Sequence, residues 1–245
     1  MDVPRIGLGT NRLVASDEHV DFVRRAVDAG LRHVDTAHLY SGGSSEEAIG
    51  AALRGRDDVL VATKGGYRRG EGRPEVLEAQ IAQSLRSLQT DAIGLYYLHR
   101  IDPDTPLEES LGAIASHVSR GDIRAVGVSA VSVAELERAR SVVPIAAVQN
   151  EYSVNERGSD DVVDRCTELG IAFVPYFPLR GSTSRAVKRV ARRHGVSPNA
   201  VKLAWLLHRS PVVSPIPGTL SLSHLRENLA AVDVQLSDED LAALS

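Results

Sequence analysis

Asp35, Tyr40, Lys64 and His99 are of the types that together make a tuned acid, and their placement in the chain is not scattered. Asp35 ends the apolar run LRHVD, Tyr40 follows five residues later, Lys64 ends VLVATK and His99 ends GLYYLH. A carbonyl reduced by hydride builds up alkoxide charge and must be handed a proton. A free phenol, with a pKa of about 10, is too weak an acid for this at neutral pH. An ammonium against the phenol favours the phenolate and makes the proton easier to give. A carboxylate fixes that ammonium by a charge-assisted hydrogen bond, and an imidazole holds the substrate oxygen near the phenol. In this scheme Tyr40 is the acid, Lys64 its tuner, Asp35 the anchor of Lys64 and His99 the orienter. Taken singly, each has a plainer reading: turn cap, loop aromatic, solvated strand end, satisfied hydrogen bonder. Three of the four, however, end successive strand-like runs, and Tyr40 lies just beyond the first.

The elements that must position them alternate along the whole chain. Strand-like runs fall at 5–9, 31–35, 59–63, 93–98, 123–128, 145–148, 171–175 and 212–216, each followed by an amphipathic stretch. Ser16, Ser132 with Glu135, and Ser237 are predicted helix caps. So are Ser44 with Glu47, and Thr105-Pro106-Leu107-Glu108. Pro74 suits a first helical position, with Leu77, Ile81, Leu85 and Leu88 as one apolar stripe. Strands without two-residue alternation suit a parallel sheet covered on both faces. Eight such repeats predict a single-domain α/β protein, one (β/α)8 TIM barrel over residues 1–245, with its chemistry at the carboxyl ends of the strands. An open doubly wound sheet is the competitor, but no G-x-G-x-x-G crosses from the first strand into its helix. Gly9-Thr10-Asn11 instead makes a turn where backbone approaches a ligand.

Bulk properties narrow the class further. The chain has 245 residues, 43% hydrophobic and 24% charged, which is ordinary for a globular domain. A net charge of -4 gives no support for nucleic acid or an acidic membrane as partner. Cys166 is alone, so neither an internal disulfide nor a two-cysteine metal knuckle is available, and no metal site is expected. No signal-peptide core and no run of 18 apolar residues occurs, so the expected location is cytoplasmic, without membrane association.

DTAHLYSGGSSEEAIGAAL, LVATKGG, DAIGLYYLHRIDPDTPLEESL, IRAVGVS, VQNEYS and IPGTLSLSHLRENLAA resemble aldo-keto reductase motifs, in family order and over nearly the whole chain. The flavour of LHRIDP and SPIPGT is similar to bacterial, pyridoxal reductase-like branches. The resemblance implies NAD(P)H bound extended across the strand ends, reduction of a small aldehyde or ketone to an alcohol, and a monomer. It implies that Ser129 and Gln149 hold the nicotinamide carboxamide and that Tyr176 stacks beneath the ring. Gly9, Thr10 and Asn11 join this cofactor set. Leu179, Arg180 and Gly181 match the loop over the pyrophosphate, and Thr219, His224, Glu227 and Asn228 the adenosine end. Arg12, Tyr67, Arg100, Tyr152 and Phe177 are candidates for the substrate wall, with Arg68 and Arg69 near the mouth.

Three departures from the family pattern qualify these expectations. Ala130 stands where relatives carry Asn, which removes one carboxamide contact. Gly218 and Leu220 supply no charge for a 2′-phosphate, and His224 stands where relatives have arginine. NADPH is the expected cofactor, with NADH also admissible. Only residues 180–184 separate Leu179 from the next helix, which predicts an open site or one covered by a partner. The family also contains NADP-binding regulatory or sensor proteins with little turnover, and this is the alternative function.

Overall fold

Alternation of side chains along extended backbone decides which residues enter a barrel and which pack outward. In the computed structural model, which describes residues 3–244, seven parallel strands follow one another in chain order. They are β1 (Leu8–Gly9), β2 (His33–Asp35), β3 (Leu60–Gly65), β4 (Leu95–Leu98), β5 (Val126–Ser129), β6 (Ile145–Gln149) and β7 (Ala172–Phe173). Ala62 of β3 and Leu95 and Tyr97 of β4 point inward and meet Ala147, Ala172, Val174 and Ile216. Residues of the opposite phase, among them Tyr96, Leu98, Val126, Val148 and Phe173, pack outward beneath the helices. The interior is therefore a filled core, and the open space lies above the strand ends.

The eighth strand expected over 212–216 is an extended segment tied by scattered bonds rather than a regular ladder. Phe173 N donates to Val212 O at 2.9 Å and Ser214 N to Phe173 O at 2.8 Å. On the other edge, Gly7 N donates to Pro215 O at 3.0 Å and Gly9 N to Pro217 O at 3.3 Å. Single bridges, Phe173 with Val213 and Gly9 with Gly218, complete the (β/α)8 ring. Pro215 and Pro217 have no N–H to return, so the pairing runs one way on that edge. Gly9 allows the approach, because a Cβ there would stand 2.8 Å from the Ile216 carbonyl oxygen.

Ten helices are described: α1 (Asp17–Asp28), α2 (Ser44–Leu53), α3 (Pro74–Leu88), α4 (Leu107–Arg120), α5 (Val133–Arg140), α6 (Asp160–Leu169), α7 (Arg185–His194), α8 (Pro198–Arg209), α9 (Leu222–Leu229) and α10 (Asp238–Leu244). Ser16 caps α1 and Ser132 with Glu135 forms both halves of the capping box on α5. Ser237 accepts from Asp240 N at the start of α10. Each such cap is worth about 1 kcal/mol. Two predicted caps are not formed. Ser44 Oγ accepts from Ala15 N at 2.7 Å instead, and Thr105 donates to Asp102 Oδ2 at 3.1 Å. In both cases a partner from outside the helix has taken the hydroxyl. Among the described residues no helix is long and apolar enough to cross a membrane.

Candidate active site

β2, β3 and β4 are neighbours in the sheet, so their inward-facing terminal residues converge above the barrel axis. Lys64 pairs in register with Tyr97, and His99 N donates to Gly65 O at 2.8 Å, extending β4 by one residue. The loop after β2 is tied across the same rim. His38 N donates to Lys64 O at 2.9 Å, and Tyr40 opens a single 3-10 turn, Tyr40–Gly43. The phenol is thereby carried over the end of β3.

Lys64 has 0% side-chain exposure. Its Nζ donates to Asp35 Oδ1 at 2.5 Å and to Thr36 O at 2.6 Å, and stands 5.2 Å from the centroid of the Tyr40 ring. Burial works against the ammonium, but Asp35 and the Tyr40 phenol more than offset it and hold Lys64 above the ordinary lysine range. Asp35 is shared: its Oδ2 accepts from Gln149 Nε2 at 2.8 Å. That bond leaves the Gln149 carbonyl oxygen for a ligand amide.

His99 lies with its ring centroid 6.2 Å from that of Tyr40, nearly edge-on. Burial, reinforced by the charges of Lys64 and Arg100, pulls its pKa down to about 2. It is a neutral imidazole, with one ring nitrogen that donates and one that accepts. Its buried Nδ1 has no hydrogen-bond partner among the described residues. Asp35, Tyr40, Lys64 and His99 are brought together as expected.

Asp35, Tyr40 and His99 border a cavity of about 480 Å³, with Lys64 fully buried behind them. Gly9, Thr10, Asn11, Tyr67, Arg100, Ser129, Gln149, Tyr176, Phe177 and Arg180 line it too. Tyr176 is partly exposed there, its ring 5.3 Å from that of Phe177 and edge-on to it. Ala130 and Phe177, at φ of 57° and 51°, hold the left-handed conformation, which strains an aromatic residue in particular and is typical of functional rims. Arg180 pairs with Glu151 at 2.5 Å and packs over Phe177. Glu151, Leu39, Pro178, Ile216 and Gly218 complete the wall. Glu151 was readable in principle, since it lies two residues beyond Gln149 and so in the same phase.

Two substrate-wall expectations are corrected. Tyr152 is fully buried between Phe173 and Trp205, with its hydroxyl on Asp160. One residue past Glu151, the alternation turns it outward under the helices. Arg12 does not line the cavity; its Nη2 reaches the Gly218 carbonyl at 3.4 Å. Arg69 is bound to Asp104 at 2.6 Å and Arg68 faces Glu71 at 3.6 Å. Leu179 and Gly181 flank the Arg180 turn outside the lining. Their carbonyls accept from Lys202 Nζ of α8, at 3.3 and 3.2 Å, a contact with no sequence signal. Thr219 and the α9 residues His224, Glu227 and Asn228 stand beyond Gly218, outside the lining.

A closed ring of parallel strands with a proton-donor set at the strand ends defines a barrel oxidoreductase acting on carbonyl groups. The model of the aldo/keto reductase family matches residues 5–245. Pyridoxine 4-dehydrogenase of Escherichia coli is 35% identical over 268 residues, covering 99% of this chain and 94% of that protein. An uncharacterized oxidoreductase of Schizosaccharomyces pombe is 34% identical over 264 residues, covering 100% of this chain and 86% of that one. A thermostable aldo-keto reductase crystallised with the inhibitor epalrestat superposes with a TM-score of 0.93 at 33% identity, covering 100% of this chain and 95% of that chain. The aldo/keto reductase of Klebsiella pneumoniae in complex with NADP and acetate gives 0.90 at 31% identity, with 99% and 90% covered. The chain belongs to the aldo/keto reductase family.

Proposed function

We propose that this protein reduces a small aldehyde or ketone to the alcohol, with Tyr40 as proton donor and NADPH as hydride source. The observation that carries the reading is the buried Lys64 ammonium, locked by Asp35 and facing Tyr40 beside a neutral His99. The fit for a dinucleotide rests on Tyr176, whose partly exposed ring offers a stacking face in the same cavity as Ser129 and the free carbonyl of Gln149. When bound there, the nicotinamide supplies the hydride. The protein's own part is protonic and electrostatic. His99 donates one hydrogen bond to the substrate oxygen, which places that oxygen against the Tyr40 hydroxyl. As negative charge gathers on the oxygen, Tyr40 gives up its proton, and the Lys64 charge stabilises the phenolate left behind. Asp35 keeps Lys64 in place and links it to Gln149, so proton donor and cofactor grip share one anchor.

The NADP and NADPH complexes of the Klebsiella pneumoniae neighbours support NADPH. Likeness to pyridoxine 4-dehydrogenase supports a small aromatic aldehyde or alcohol as reactant. The regulatory alternative gains no support from a complete proton-donor set. A cytoplasmic monomer fits a single buried thiol and the family habit.

The test is turnover of NADPH and NADH with a panel of activated aldehydes, wild type beside Tyr40→Phe. Loss of about three or more orders of magnitude in kcat with cofactor affinity kept is expected. Unchanged turnover in the variant removes Tyr40 from the role, and no oxidation of either nucleotide by wild type removes the enzymatic reading.

A further inference from the structure

Charge around the cavity does not balance, and the imbalance sits at one residue. Asp35 is paired with Lys64 and Glu151 with Arg180, while His99 is neutral. Arg69 and Arg68, at the mouth, have Asp104 and Glu71. Asp102, the remaining nearby acid, accepts from Gly72 N and Asp104 N and from the Thr105 hydroxyl. Arg100 lines the cavity with no carboxylate partner among the described residues. Its Cζ lies 4.7 Å over the Tyr67 ring, and that ring is 4.8 Å from the ring of His99. Imidazole, phenol ring and guanidinium thus form a continuous row leading away from the hydride-accepting position. Stacking covers a face of the guanidinium and leaves its N–H edge free. That edge is the part that grips a planar anion with two parallel bonds. The stack also fixes the side chain before any ligand arrives, so little ordering entropy is lost on binding. The charge is felt at the neighbouring imidazole, where burial, Lys64 and then Arg100 all disfavour protonation of His99.

We propose that Arg100 is an anion-recognition residue and that the preferred substrates are aldehydes or ketones bearing a carboxylate at the end remote from the carbonyl, one ring's length away. This rests on the carbonyl-reduction reading and specifies its substrate class.

The experiment compares 4-carboxybenzaldehyde with its neutral isostere 4-carbamoylbenzaldehyde, for wild type and Arg100→Gln, with NADPH affinity measured alongside. Wild type is expected to favour the carboxylate by about ten- to hundredfold in kcat/KM at low salt, as for a charge-assisted pair. The preference is expected to shrink with added salt and to collapse in Arg100→Gln, with Arg100→Lys keeping part of it. A ratio near one in wild type, or the same ratio in both proteins, overturns the proposal. So does a variant that weakens NADPH binding and leaves the ratio alone, which would assign Arg100 to the cofactor. A turnover-free arm separates this failure from failure of the carbonyl-reduction reading. Titration with 4-(hydroxymethyl)benzoate and 4-(hydroxymethyl)benzamide, followed by protein NMR, should show tighter benzoate binding that is lost in Arg100→Gln. Equal binding of the two overturns the proposal even if no aldehyde is reduced.

Discussion

Two lysines are buried in this barrel, and they are buried in opposite ways. Lys64, at the end of β3, has a carboxylate on its ammonium and is held above the ordinary lysine value of 10.5. Lys202, on α8, is 2% exposed and, among the described residues, its ammonium donates only to the carbonyls of Leu179 and Gly181. Burial alone acts on it, and its proton affinity is lowered. The first is a charge the fold is built to keep, because a phenolate must be stabilised beside it. The second is a prop: it fastens the turn that carries Arg180 into the cavity wall, and its charge is a cost set against those two hydrogen bonds.

The largest expected difference comes from removing each ammonium. Lys64→Met leaves Asp35 buried and uncompensated, so it should cost about 3–5 kcal/mol of stability in urea unfolding, with turnover reduced at least a hundredfold. Lys202→Met should change stability by less than about 1 kcal/mol, because replacing a buried, unpaired charge by a packed apolar chain is often neutral or better. Equal losses would mean that the two sites are not different in kind.

Buried histidines held neutral extend the contrast to acid. His33 has no hydrogen-bond partner among the described residues on either ring nitrogen, and burial lowers it to about 4; His99 is lowered to about 2. The unfolded chain takes up protons below about 6.5 that the folded chain refuses, so stability should fall as pH drops from 6.5 toward 4. Melting temperatures at pH 7, 6 and 5 check this, and His33→Leu should make the acid limb shallower. Because His99 stays neutral, its titration should leave no step in kcat between pH 5.5 and 7.5.

On the alkaline side the two lysines should separate by sign. The Lys64 contribution, from a raised value, is fully present below 10.5 and is lost as pH climbs through the folded value. The Lys202 penalty, from a lowered value, shrinks as pH approaches 10.5 and the folded form sheds that proton first. Melts of both Met variants against wild type at pH 8, 9 and 10 should show a constant gap for Lys64 and a changing one for Lys202. The smallest expected effect is at the nicotinamide side. Ala130→Asn restores an amide and suits the left-handed backbone at φ of 57°, so NADPH affinity should improve about fivefold, read by fluorescence titration.

How much was legible beforehand follows the range of each interaction. The caps at Ser16, Ser132 and Ser237 were readable because both partners lie within one helical turn. That at Ser44 was not, because Ala15 competes from another segment, and at Thr105 the preceding loop's Asp102 takes the hydroxyl. Glu46 is one of two adjacent glutamates on a helix and reads as a solvated charge. It is nonetheless buried against the Thr63 hydroxyl at 2.5 Å, with its carboxyl pushed up by that burial. Tyr152 and Glu151 are adjacent in VQNEYS, and the phase set by Gln149 two residues earlier is what gives Glu151 to the cavity and Tyr152 to the helices.

The sequence by itself determined the succession of strands and helices, and hence that Asp35, Lys64 and His99 would share one rim, because periodicity and strand ends are local properties. Tertiary structure alone decided which of the other charges are paired and which are free: Glu151 taken by Arg180, Lys202 left to carbonyls, Arg100 left open at the cavity. Charge compensation acts through space between residues remote in the chain, and only folding fixes those distances.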